Sequence, residues 1–157
     1  MKNCVYYDSS IGLILIEEEN GVVTKLDFVK SKSVKKNLYK SKILDQALKQ
    51  LDQYFKKKRK KFSLKVNFSG TDFQKEVLKK TCEIGYGETV SYSKIAKMIG
   101  RPKAVRAVGS ALKQNSVPII IPCHRVIGKD GNLRGFAGKI KVKEFLLKLE
   151  NPHFKIK

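Results

Sequence analysis

Residues 117–128 read VPIIIPCHRVIG, which sets Cys123, His124 and Arg125 straight after a run of apolar residues and prolines. The thiolate is the nucleophilic form of cysteine. With an ordinary pKa of about 8.5 only a few per cent of it exists at neutral pH, so a reactive Cys123 needs a neighbour to take its proton. His124 is the candidate. Adjacent side chains on an extended segment point to opposite faces, however, so a strand here would forbid a direct Cys123–His124 hydrogen bond and demand a water relay or a sharp turn. A third candidate stands near the C-terminus, where Val142, Phe145, Leu146 and Leu149 make the apolar face of a helix and Glu150 lies one turn beyond Leu146 on its edge. A part-buried carboxylate at the negative end of a helix dipole calls for a cation or a donor, and an imidazole held in orientation by it meets that need. Blander readings stand beside these: Cys123 as a small buried hydrophobe, and Glu150 as a surface residue at a helix end.

A second constellation lies just upstream. SYSKIAKMIGRPKAVRAVGSALKQN, residues 91–115, reads as two helices broken at Gly100-Arg101-Pro102, a glycine stop followed by a proline able to open the next helix. This is the form of a helix-turn-helix. In the second helix Ala104, Val105, Val108, Ala111 and Leu112 form the core stripe, while Arg106, Gly109, Ser110 and Lys113 share a small, basic opposite face. A mid-helix glycine costs roughly 1 kcal/mol relative to alanine, so Gly109 implies the close approach of another backbone. Tight packing on a protein neighbour would explain Gly109 but not Arg106 and Lys113. A sugar-phosphate strand, with Arg106 reaching past it toward the bases, explains all three.

The elements that position these groups can be read from period and punctuation. Two β-type runs in residues 12–29 flank Asn20-Gly21, a dipeptide suited to a tight hairpin turn. Ile43, Leu44, Ala47, Leu48, Leu51, Tyr54 and Phe55 recur at helical spacing, predicting an amphipathic helix over residues 39–57 that packs on the hairpin sheet. KKKRKK, residues 56–61, could serve as a nucleic-acid patch but is read first as the solvated end of that helix, where cations are favoured. FSLKVNF, residues 62–68, alternates Phe62, Leu64, Val66 and Phe68 inward, which predicts a further strand. Thr71 followed by Gln74 has the form of a capping box, and helices dominate from there.

Composition narrows the function. The 157 residues carry 34 Lys+Arg against 14 Asp+Glu, a formal charge of +20, so the expected partners are polyanions. Cys4, Cys82 and Cys123 stand far apart with only His124 and His153 to join them, which argues against a metal site. An odd number of cysteines and no apolar leader predict a reduced, intracellular protein, and no segment reaches the roughly 18 apolar residues needed to span a bilayer.

SYSKIA, RPKAVRAVGSALKQN, IPCHRVIG, GFAGK and KEFLLKLE, in this order across residues 71–150, resemble the O6-alkylguanine-DNA alkyltransferases, also called methylated-DNA–protein-cysteine methyltransferases. The resemblance implies an α+β fold. Residues 1–69 would form a small N-terminal α/β (ribonuclease-H-like) unit, packed on a C-terminal helical, winged-helix-like helix-turn-helix domain of residues 70–157. It implies DNA repair by irreversible, single-turnover transfer of an alkyl group from O6 of guanine to Cys123, with Glu150 holding His124 and His124 acting through a water. Arg106 resembles the family's arginine finger, which fills the gap left when the damaged nucleotide is flipped out of the duplex. Tyr92 matches the tyrosine that helps turn that nucleotide and hydrogen-bonds the departing guanine, and Asn115 matches an asparagine that braces the turn before the active site. DNA contact through the minor groove falls to Ala104, Arg106, Gly109, Ser110 and Lys113, and the substrate pocket to Tyr92, Val126, Phe136, Ala137 and Gly138. The implied partner is double-stranded DNA containing O6-alkylguanine. No cofactor, metal or membrane is implied, and the protein would be a cytoplasmic monomer. Ala137 stands where some relatives carry serine, and Ser116 follows Asn115 where proline is common.

Two rivals come from other classes. A DNA-binding regulator with an inert Cys123 predicts binding without covalent change, and a Cys-His-Glu hydrolase predicts multiple turnovers.

Overall fold

The computed structural model describes residues 2–31, 41–134 and 139–156, in two compact units, Met1–Asn67 and Phe68–Lys157. In the first, β1 (Asn3–Ser9), β2 (Gly12–Glu19) and β3 (Val22–Val29) form an antiparallel sheet in that order. The β2–β3 hairpin turns on Asn20 and Gly21, both at positive φ (52° and 77°), the conformation that selects this dipeptide. Buried Glu18 closes the hairpin, accepting from the Gly21 amide (2.9 Å) and from Asn3 Nδ2 (2.6 Å), which lies opposite it in register. Helix α1 (Lys42–Phe55) begins where Ser41 accepts from the Leu44 amide, and it buries Leu44, Ala47, Leu51 and Tyr54 with Ile14, Ile16, Val23 and Leu26 of the sheet unit.

The expected strand at FSLKVNF does not form a ladder. Only Val66 bridges, parallel to Val23, through Val23 N–H to Lys65 O (2.8 Å) and Asn67 N–H to Val23 O (3.0 Å). Gln50 of α1 holds the segment instead, accepting from the Ser63 amide and donating to its hydroxyl, each at 2.9 Å. The alternation of half-buried Phe62, Leu64, Val66 and Phe68 with exposed neighbours is present. It reflects one-sided packing of an extended segment, which has the same period as a strand but needs no second partner.

In the second unit, α2 (Asp72–Thr81) opens with the capping box, Gln74 N–H to Thr71 Oγ1 (3.2 Å) and Thr71 N–H to Gln74 Oε1 (2.8 Å). It packs with α3 (Tyr92–Met98) and α4 (Val105–Lys113) around Val77, Leu78, Ile95, Ala96, Val108, Ala111 and Leu112. Gly100 (φ 73°) ends α3 as expected, but Pro102 does not open α4. It occupies the second position of a turn closed by Ala104 N–H to Arg101 O (2.9 Å), where its fixed φ is equally at home, and α4 starts at Val105. Val105 consequently leaves the core stripe and is 36% exposed. Strands β4 (Val90–Ser91) and β5 (Val126–Ile127) pair in parallel, and α5 (Ile140–Glu150) follows. No helix among the described residues is long and apolar enough to cross a membrane.

Candidate active site

The segment before Cys123 is a strained turn. Ile121 N–H donates to Val117 O (3.0 Å), and Ile119 within it has φ 73°, a left-handed conformation that a β-branched residue adopts only under constraint, at a cost of about 1–3 kcal/mol. Asn115 supplies the constraint. Just past α4 and buried, it accepts from Val117 N–H at Oδ1 and donates from Nδ2 to Ile121 O, both at 3.0 Å, clamping the two ends of the turn. Cys123 then opens a single 3-10 turn, Cys123–Arg125, in place of the strand envisaged. The Cys123 thiol is 5% exposed, and burial pushes its pKa up to about 11, against the pull of the Asn115 side chain and the charge of Lys143. At neutral pH the resting thiol is protonated.

His124, fully buried, places Nε2 at 2.6 Å from Glu150 Oε2, while its Nδ1 has no hydrogen-bond partner among the described residues. Burial lowers the imidazole pKa against the opposing pull of Glu150, so the ring rests neutral. A neutral ring facing a carboxylate carries its proton on Nε2, which leaves Nδ1 as the basic nitrogen. Arg125, to which the sequence analysis assigned no role, grips the same carboxylate with Nε to Oε1 (2.8 Å) and Nη2 to Oε2 (3.1 Å). Gly87 N–H adds a donor to Oε1 at 3.2 Å, and Arg125 Nη1 donates to Ile84 O at 2.7 Å, tying the 84–87 turn to the site. Burial alone would raise the Glu150 pKa, but the hydrogen bonds of His124 and Arg125, with the Arg125 charge, overcome it and hold the carboxylate at about 2.

Glu150 is therefore buried rather than at an edge. The interior stripe of α5 is Lys143, Leu146, Leu147 and Glu150, rotated from the apolar face of Val142, Phe145, Leu146 and Leu149 that the sequence suggested. Those four positions have i, i+3, i+4, i+7 spacing, which was a readable signal: two charges of opposite sign bracket a leucine pair on one helical face. Lys143 is 1% exposed and was missed. Its ammonium donates to Val126 O (2.6 Å), Tyr92 Oη (3.3 Å) and Arg134 O (3.3 Å), and burial brings its pKa down to about 8.

The β4–β5 bridge pairs Val90 with Val126 and Ser91 with Ile127, and Ser91 also caps α3, so the first residue of that helix, Tyr92, is fixed close to the Cys123 turn. Burial, with the nearby Cys123 charge adding to it, pushes the Tyr92 phenol up to about 12, and it stays a neutral donor. Tyr92 lines a cleft of about 630 Å³ with Ser93, Val105, Gly128, Lys129, Asp130 and Arg134. Val126 is fully buried behind its carbonyl contact to Lys143. Phe136, Ala137 and Gly138 lie outside the described residues.

On α4, Arg106, Ser110 and Lys113 are exposed, with Ala104 and Gly109 half-buried. A Cβ at Gly109 would sit 3.9 Å from the Tyr92 ring, an ordinary contact, so packing inside the protein does not require glycine there. Among the described residues no group of three His, Cys, Asp or Glu side chains could hold a metal ion.

Residues 72–152 match the family described as 6-O-methylguanine DNA methyltransferase, DNA binding domain, and residues 3–68 match its ribonuclease-like domain. The chain is 47% identical to a methylated-DNA–protein-cysteine methyltransferase of Methanosarcina barkeri, over 96% of this chain and 100% of that one. It is 43% identical to the constitutive one of Bacillus subtilis, over 96% of both. The crystal structure of the Mycobacterium tuberculosis O6-methylguanine methyltransferase superposes with a TM-score of 0.85 at 36% identity, covering 100% of this chain and 97% of that one. That of M. tuberculosis OGT in complex with DNA superposes with a TM-score of 0.85 at 39% identity, over 96% and 92%.

Proposed function

The chain belongs to the 6-O-methylguanine DNA methyltransferase family, a DNA-repair methyltransferase that moves the methyl group of O6-methylguanine to a protein cysteine, and from that premise we propose that Cys123 is the acceptor. The observation that carries this is the buried Glu150–His124 pair at 2.6 Å, adjoining Cys123 in the chain and leaving a basic Nδ1 uncommitted. Cys4 lies in the other unit, and Cys82 is exposed at the end of α2.

In this reading His124 Nδ1 takes the Cys123 proton through a water, and Glu150, itself fixed by Arg125, stabilises the imidazolium that forms. The thiolate sulfur attacks the methyl carbon of O6-methylguanine. A carbon–sulfur bond forms as the carbon–oxygen bond breaks, and guanine departs with the electron pair. Tyr92 donates its phenolic hydrogen to the departing base. Lys143, donating to Tyr92 Oη, keeps that hydrogen directed outward and supports the phenolate if the proton transfers. The thioether left on Cys123 has no route back, so each molecule acts once. A free acceptor thiol and a DNA substrate favour a reducing compartment, and we assign the protein to the cytoplasm.

The lesion must leave the stack to reach a buried sulfur, at a cost of a few kcal/mol. The face of α4 supports that step: Arg106 is exposed, and Gly109 lacks an internal reason to be glycine, which suits close approach of a strand in the minor groove. Arg106→Ala should slow repair of a methylated duplex by ~10-fold or more, a decade for each 1.4 kcal/mol of unstacking no longer offset. Reaction with free O6-benzylguanine should be unaffected, and equal losses on both would remove the finger assignment.

The test of the whole reading is the intact mass of the protein after mixing with excess methylated duplex. One added methyl group per molecule, on the peptide containing Cys123, is expected. An unchanged mass with tight binding would identify a regulator, and substrate consumed beyond one equivalent a hydrolase.

A further inference from the structure

The cleft beside Tyr92 carries a cation that methyl transfer as described does not use. The segment 128–134 that follows β5 is wound around Gly128, whose amide donates to Asn132 O (2.9 Å) and whose carbonyl accepts from Gly131 N–H (2.9 Å). A Cβ on Gly128 would fall 2.6 Å from Asp130 Oδ1 and 3.2 Å from Arg134 Nε, so the loop closes on itself without room for a side chain. Asp130 is its knot, accepting from Asn132 N–H (3.0 Å), Asn132 Nδ2 (2.9 Å) and Arg134 Nη2 (2.9 Å). The backbone donor of Asn132 leads the interactions that hold this carboxylate below the usual range. At the end of the loop, Arg134 O accepts from buried Lys143. Arg134 is thus secured twice, its guanidinium by Asp130 and its main chain by the ammonium that also donates to Tyr92.

Stability does not account for this arrangement. The Arg134 and Asp130 side chains are 57% and 49% exposed, and an exposed pair of this kind adds little to stability. Yet both residues line the cleft, and Lys129 lines it beside them. A guanidinium offers five N–H donors in a fixed fork, of which Asp130 uses one.

We infer that Arg134, braced by Asp130, binds the phosphodiester of the nucleotide whose base enters the cleft. This rests on the reading that the cleft beside Tyr92 receives the extruded base. A nucleotide turned into a cleft places its base inside, while the phosphates that join it to the strand stay at the mouth. A half-exposed guanidinium on the cleft wall is suited to that oxygen pair, because fork and phosphate match in a bidentate, charge-assisted contact. Asp130 keeps the fork from swinging into solvent, so less rotamer freedom is lost when the phosphate arrives.

The experiment is a single-turnover rate measurement on duplexes with one O6-methylguanine, in which each phosphate flanking the lesion is replaced in turn by a neutral methylphosphonate. On the ordinary duplex, Arg134→Ala and Arg134→Gln should both be slower by about tenfold, the contribution of one charge-assisted hydrogen bond. At one flanking position the methylphosphonate should slow the wild type by the same factor and leave both variants unchanged. Losses that multiply at every position would overturn the phosphate contact. So would full activity in Arg134→Gln with acceleration on O6-benzylguanine in Arg134→Ala, which would make Arg134 a steric wall. Failure of the wild type to methylate Cys123 on the ordinary duplex is a separate outcome, and it would strike the underlying reading instead.

Discussion

Cys123→Ala should carry no added mass after prolonged exposure to methylated duplex, while the wild type gains one methyl group per molecule and stops. The difference is all or none, because among the described residues neither other cysteine shares the environment of Cys123: Cys82 is exposed at the end of α2 and Cys4 lies in the other unit. The resting thiol, at about 11, cannot react on its own at neutral pH, and only Cys123 adjoins a carboxylate-oriented imidazole. Replacing a small buried thiol by alanine removes little volume, so the variant should remain folded. DNA affinity should also persist, since the basic face of α4 is untouched. Methyl transfer retained in Cys123→Ala would place the acceptor elsewhere.

The next largest effect is expected from Glu150→Gln, which keeps the shape of the side chain and removes its charge. In the folded chain Glu150 sits at about 2 against an ordinary 4.5. A depressed carboxylate stabilises the fold above its unfolded pKa, and that stabilisation is lost as the pH falls through the folded value. The shift corresponds to roughly 3 kcal/mol. Removing one partner of a buried ion pair costs about 3–5 kcal/mol, and here it leaves the Arg125 guanidinium without a counter-charge in the interior. Urea unfolding at pH 7 should therefore show the variant less stable by ~3 kcal/mol or more, with the gap narrowing as both proteins are taken from about pH 4.5 toward 2. Parallel stability curves across that window would show that Glu150 is not the ionised centre of the network. Methyl transfer should fall as well, because Gln cannot stabilise an imidazolium, and the loss should persist under conditions where the variant is fully folded.

Much of the site was legible in the residues themselves. The hairpin at Asn20-Gly21, the capping box at Thr71 and Gln74, and the glycine stop at Gly100 are local decisions, made by φ preferences and by side chains three residues apart. Cys123, His124 and Glu150 were nominated as a set because a cysteine nucleophile needs a base and a buried carboxylate needs a donor, which is chemistry rather than geometry. The failures have the opposite character. FSLKVNF has the period of a strand, but forming one depends on a free sheet edge, and only Val66 finds a partner. Val105 fits a core stripe by spacing, yet the turn at residues 101–104 begins the helix later and leaves it exposed.

By itself, then, the amino-acid order determined most of the local elements and the polyanionic partner and nominated three groups for the chemistry, since these follow from covalent spacing, charge and intrinsic reactivity. Folding decided the rest. Long-range packing rotated α5 so that Lys143 and Glu150 face inward and set Arg125 against Glu150 across 25 residues. Those outcomes depend on which buried groups can satisfy one another once water is excluded, a condition that exists only when distant segments are brought together.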